Sequence, residues 1–156
     1  CILKVKGDSC ILGILHGDLC FSNILYDTRS DRIKVIDPRG LDINDNFSYL
    51  GDLRYDYSKL NHSVIGLYDY IIAGAYSLNE TVNFTFEFEI LIDDRVRQIQ
   101  EIYMKDMRLA KLSPVSLMPE TILLFFSMLP LHADSPKRQR AFIANILRLY
   151  IIYIVK

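Results

Sequence analysis

The chain has 156 residues, 51% hydrophobic and 24% charged, which excludes a disordered polymer and allows one domain with a substantial core. Its 18 basic and 19 acidic residues leave a formal net charge of −1, so neither nucleic acid nor an anionic membrane is indicated as the main partner. Three cysteines (Cys1, Cys10 and Cys20) follow no metal-ligand spacing, and their odd number argues against a disulfide framework. These residues show no signal-peptide pattern and no apolar run of membrane-span length, so a reducing cytoplasm is the expected location. The N-X-S/T triplets at Asn46, Asn61, Asn79 and Asn83 would matter only in a secretory protein.

In chain order, "CILKVKG" begins in mid-pattern, as a fragment would, and "CILGIL" (10–15) is an apolar run leading into a His-Gly-Asp turn. "NILYD" and "RIKVID", separated by the polar "TRSD", read as a β-hairpin, and 38–52 read as loop. The spacing of Val64, Tyr68, Ile71, Ile72 and Ala75 predicts one helix from about Asp56 to Ser77. "VNFTFEFEI" alternates like a half-buried strand, and Val96, Ile99, Tyr103, Met107 and Ala110 mark an amphipathic helix. Pro114 and Pro119 bracket a break before a buried helix at 120–129. Ser135 and Pro136 have the order of an N-cap and a first helical residue, with the cluster Lys137, Arg138 and Arg140 on a solvated helix start. The last helix carries an apolar stripe of Ile143, Ile146, Leu147, Tyr150, Ile151 and Ile154. The expected class is α+β, mainly α, with one hairpin and four to five helices.

The segment "LHGDLCFSNILYDTRSDRIKVIDPRG" places Asp18, Asn23 and Asp37 among strand-forming residues. An antiparallel hairpin brings the start of its first strand beside the end of its second, because neighbouring strands lie about 4.8 Å apart. Asn23 and Asp37 occupy those ends, and Asp18 opens onto the same mouth from the preceding turn. Two carboxylates and an amide oxygen are hard ligands of the kind that suit Mg²⁺, which fills its other positions with water and phosphate. Turn and strand capping is the alternative account of any one of the three.

"HGDLCFSN" resembles the catalytic loop of the protein-kinase-like superfamily, and "VIDPRG" resembles its metal-binding Asp segment. HGD in place of HRD, and an Ile-Asp in place of DFG, resemble the small-molecule branch: aminoglycoside phosphotransferases, choline and ethanolamine kinases and fructosamine-kinase relatives. "GDLRYDYSKL" is similar to that branch's next element, a helix whose early Asp braces the catalytic loop. The resemblance implies Asp18 as the catalytic base, and Asn23 and Asp37 as ligands holding Mg²⁺ against the phosphates of ATP. It implies structural support from His16, beneath the metal segment, and from Asp56, which would receive amides of the HGD turn. Lys59 and His62, further along that helix, are expected to be ordinary surface or core residues. His132 and Asp134 are candidates for lining the substrate pocket, with helix-end capping as the simpler alternative. Pro38 and Arg39 depart from the family pattern, and Pro38 should stiffen the metal segment.

Only 15 residues precede His16, with no glycine-rich loop or paired strand Lys among them. The resemblance therefore implies a kinase-like C-terminal lobe over 1–156, with catalytic and metal segment 16–59 and helical subdomain 60–156. The N-terminal lobe would be absent from this chain, and the chain alone would be inactive. The implied activity is ATP-dependent phosphorylation of a small hydroxylated molecule. A sugar or amino alcohol is preferred to a polycationic aminoglycoside because long acidic runs are lacking. The alternative is a non-catalytic kinase-like module that binds a nucleotide or partner and transfers nothing.

Overall fold

A computed structural model describes residues 10–41, 44, 46–80 and 86–155. The chain runs through β1 (Leu12–Ile14), a 3-10 turn (Phe21–Asn23), β2 (Ile24–Asp27), β3 (Arg32–Val35), β4 (Leu50–Asp52) and α1 (Leu53–Val64). It continues through α2 (Tyr68–Ile72), β5 (Tyr76–Glu80), β6 (Phe86–Ile90), α3 (Asp94–Asp106), α4 (Met118–Leu131) and α5 (Pro136–Tyr153). Strands pair antiparallel in twos: β1 with β4, β2 with β3, and β5 with β6. The class is α+β, mainly helical, with five α-helices among the described residues. None of the described helices is long and apolar enough to cross a membrane.

The β2–β3 hairpin is set by its turn. Asp27 accepts the amide of Arg29 (3.0 Å) and the hydroxyl of Ser30 (2.8 Å), and Asp31 takes the left-handed backbone (φ 51°) that Asp tolerates. Register Ile24↔Val35 then sets Asn23 against Ile36, whose amide donates to the Asn23 carbonyl at 3.0 Å. The core lies elsewhere, where α1, α2, α4 and α5 enclose Ile71, Met118, Ile122, Phe125, Phe142 and Leu149. Asn61 is fully buried there, donating to Pro114 O (3.1 Å) and Thr121 Oγ1 (2.8 Å), so its N-X-S triplet is closed off in the folded chain.

Four sequence expectations need correction. The single helix over 56–77 is two helices and a strand, because α1 ends at Val64, two residues before Gly66. A Cβ at Gly66 would lie 2.4 Å from His62 O and 2.6 Å from Phe125 Cε2. The freed carbonyls at this helix end are taken by α5: Asn145 Nδ2 donates to Gly66 O (2.7 Å) and Arg148 Nη2 to Ile65 O (3.3 Å). The chain turns again at Gly74 (φ 75°) into β5, which pairs with β6 in the register Leu78↔Phe88. Val82 and Phe84, the start of the expected strand, lie outside the described residues.

The expected loop at 38–52 contains β4, which pairs with β1 through Gly13↔Gly51. Helix α3 ends at Asp106, so Met107 and Ala110 are not in its register; Val96 and Tyr103 pack on the core while Ile99 is exposed. The buried face of α5 is Ala141, Phe142, Asn145, Ile146 and Leu149, and Ile143, Leu147, Tyr150 and Ile151 are exposed. The stripe is rotated because Asn145 must face inward to cap α1. The other signals correspond closely to the structure: Ser135 caps α5 by accepting Arg138 N, Pro136 opens it, and the helix expected at 120–129 runs from Met118 to Leu131.

Candidate functional site

The site is organised from the N-terminus of α1. Asp52 caps the helix, accepting the amides of Arg54 (3.1 Å) and Ile11 (3.2 Å). Burial alone would raise its carboxyl, but hydrogen bonds from the Arg54 side chain and these two amides outweigh it and hold Asp52 below the usual carboxylate value. One turn on, Asp56 is buried and accepts two amides of the HGD turn, His16 N on Oδ2 (2.6 Å) and Gly17 N on Oδ1 (2.8 Å). Both carboxylates sit where the helix dipole favours negative charge.

The turn itself needs glycine. Gly17 has φ 82°, and a Cβ there would lie 2.7 Å from Arg39 Cβ. The short chain at position 17 is therefore a matter of space as well as backbone. His16 binds the loop to the segment after β3: Asp18 N donates to Nδ1 (3.3 Å), which leaves Nε2 to donate to Ile36 O (2.9 Å). Arg39 N donates to His16 O (2.8 Å), closing the connection from the other side.

Asp18 and Asn23 are in contact, with Asn23 Nδ2 2.9 Å from Asp18 O and 3.3 Å from Asp18 Oδ2. Asp37 follows Ile36 just beyond the hairpin, exposed and in the left-handed backbone (φ 57°) that Asp tolerates, as at Asp31. Asp18 and Asp37 line one cleft of about 970 Å³, whereas Asn23 is buried behind the loop and does not line it. The floor carries Lys59, whose Nζ is 2.7 Å from Asp18 Oδ1. The far wall is the face of α4 bearing Leu123, Leu124, Met128 and Leu131. Arg54 bridges floor and wall, 3.8 Å from Glu120.

His132 and Asp134 stand at the α4–α5 corner and do not line the cleft. His132 accepts from Arg138 Nη1 (3.1 Å) on Nδ1 and contacts the Tyr68 hydroxyl (3.3 Å) through Nε2, and Asp134 lies 3.9 Å from Arg138. Partial burial, then the Arg138 charge, lower the His132 pKa against the opposing pull of Asp134. His62 is a core residue, as expected, its ring centroid 3.9 Å from that of Phe125 and 4.5 Å from that of Tyr68. Burial, followed by the charge of Lys59, pushes its pKa well below the ordinary value, so the ring is neutral. Lys59 differs from expectation, being an ion-pair partner within the cleft. Its signal was its position three residues after Asp56, on the same helix face. The α4 wall is mostly apolar, with Glu120 and Ser127 as its polar residues, and its sequence read only as a buried helix.

A metal is tested by the donor set. Among the described residues no group of three or more His, Cys, Asp or Glu is placed to hold an ion. Magnesium needs only one or two protein carboxylates, with water and phosphate completing its shell. Asp37 offers an exposed carboxylate, and the Asn23 amide, with its nitrogen turned to Asp18, leaves its oxygen for a cation. These donor types suit Mg²⁺ in the company of phosphate, but only Asp37 lines the cleft, while Asn23 is buried outside its lining. A scan of protein-family models, a search of curated proteins and a search of solved structures each return no match.

Proposed function

We propose that this chain is the C-terminal lobe of a protein-kinase-like phosphotransferase of the small-molecule branch, transferring the γ-phosphoryl group of ATP to a hydroxyl of a sugar or amino alcohol in the cytoplasm. The observation that carries the reading is the clamp of Asp56 on the His16 and Gly17 amides, which delivers the next residue, Asp18, to the cleft beside Asp37. Phosphoryl transfer asks for in-line positioning and charge neutralisation more than for covalent chemistry by the protein. Asp18 accepts the acceptor's hydroxyl proton while that oxygen bonds to the γ-phosphorus and the bond to the ADP oxygen breaks. The apolar α4 wall excludes water and holds the carbon skeleton of the acceptor. Asn23 and Asp37 would be the residues to hold Mg²⁺, which would supply charge neutralisation on the phosphates.

The two metal-ligand candidates differ in charge, which gives the test. In the full-length protein, Asp37→Ala should abolish Mg²⁺-dependent ATP binding and be poorly rescued by excess Mg²⁺. Asn23→Ala removes a dipole only, so it should be milder and partly rescued. Calorimetric ATP titrations across Mg²⁺ concentrations measure both, and equal sensitivity of the two variants would contradict the assignment. ATP binding without phosphoryl transfer would instead identify a non-catalytic module.

A further inference from the structure

We infer that Lys59 is a positioning residue for phosphoryl transfer, holding one carboxylate oxygen of Asp18 so that the other faces the acceptor hydroxyl. This rests on the phosphotransferase reading above. The Lys59 ammonium lies 2.7 Å from Asp18 Oδ1, while Asn23 Nδ2 approaches Oδ2 only to 3.3 Å and bonds the Asp18 carbonyl more closely, at 2.9 Å. One oxygen is thus firmly held and the other loosely.

Three features separate this pair from a solvated surface bridge. The Lys59 side chain is only 12% exposed, against 39% for Asp18, and both line the cleft. Lys59 stands one turn beyond Asp56, so the rigid helix that grips the loop's backbone also grips its carboxylate. Two further acidic groups of the cleft, Asp52 at the start of α1 and Glu120 on the far wall, are engaged by Arg54 and not by Lys59. In the transfer step the acceptor proton passes to Asp18 Oδ2 as the new P–O bond forms and ADP departs with the electrons of the broken one. Lys59 keeps its own proton throughout.

Steady-state kinetics of the full-length protein test this, with ATP and choline, ethanolamine and hexoses as acceptors. Lys59→Met should lower kcat by about 10²-fold, the scale of a misplaced reacting group, while KM for ATP stays within about threefold. Lys59→Arg should recover most of that loss, and Lys59→Gln repeats the test if the Met variant does not fold. Asp18→Asn/Lys59→Met should be no slower than Asp18→Asn alone, because the two groups act as a unit. A Lys59→Met enzyme with wild-type kcat and altered melting only would overturn the inference and leave the phosphotransferase reading intact. So would a double variant showing the product of the two single losses. A wild-type protein that turns over ATP with none of these acceptors, nor with water, overturns the reading and the inference together.

Discussion

Around α1, α4 and α5 the side chains of Phe125, Phe142, Met118 and Leu149 are less than 2% exposed, whereas Leu12, Ile14, Ile33 and Val35 in the first three strands are more than half exposed. The helical end is fastened by apolar burial, which is non-directional and spread over many residues. The site end is fastened by a few directional contacts from α1 and His16: Asp56 to the HGD turn, Asp52 to Ile11, and His16 to Ile36. Stability and function should therefore come apart on mutation of the polar groups that hold the loop, since these lie outside the apolar core.

The largest stability effect belongs to the helical end. Phe125→Ala empties the centre of the aromatic cluster and should cost about 3–5 kcal/mol in denaturant unfolding. Asp56→Ala leaves two loop amides without their acceptor and should cost about 1–3 kcal/mol while loosening the HGD turn. Backbone amide exchange at His16 and Gly17 reads the second effect locally. An Asp56→Ala protein with unchanged melting and unchanged exchange would mean that the carboxylate is an ordinary helix-start residue.

A smaller effect comes from His62, which joins the two ends by lying beside Lys59 in sequence and against Phe125 in space. Its folded-state pKa is lowered, by burial first and the Lys59 charge second, so below the unfolded value of about 6.5 the unfolded chain binds more protons. The stability contributed by a neutral His62 is therefore fully present above about pH 6.5 and is lost as the pH falls below it. Melting temperature should drop between about pH 7.5 and about pH 5.5, and less so in His62→Phe. The partly buried His132, shifted in the same direction, supplies the remainder. Identical pH dependence in the variant would place the acid sensitivity elsewhere.

The sequence was most legible where a local rule leaves one residue choice. The turn after Asp27 and the Ser135-Pro136 helix start follow from neighbours a few positions apart, whereas the hairpin sets Asn23 against Ile36 and not against the expected Asp37. The contacts of Asp56 with a loop 39 and 40 residues earlier became legible through resemblance, because spacing alone cannot join segments so far apart. Long-range polar demands hid the rest. Asn145 looks like a solvent-facing residue until α1 needs a cap, and that rotation exposes Leu147 and Ile151. Gly66 and Gly74 carried the true helix stops, but the apolar spacing across them imitated one continuous helix.

The central claim, that the Asp56-clamped loop presents a catalytic base, is tested most directly by Asp18→Asn in the full-length protein. With the best acceptor present, kcat should fall about 10²–10⁴-fold, the usual contribution of a general base. Affinity for ATP and melting temperature should stay close to wild type, since the proposed base would act on the acceptor and Asp18 lines the cleft outside the apolar core. An Asp18→Asn enzyme that keeps wild-type kcat would contradict the account.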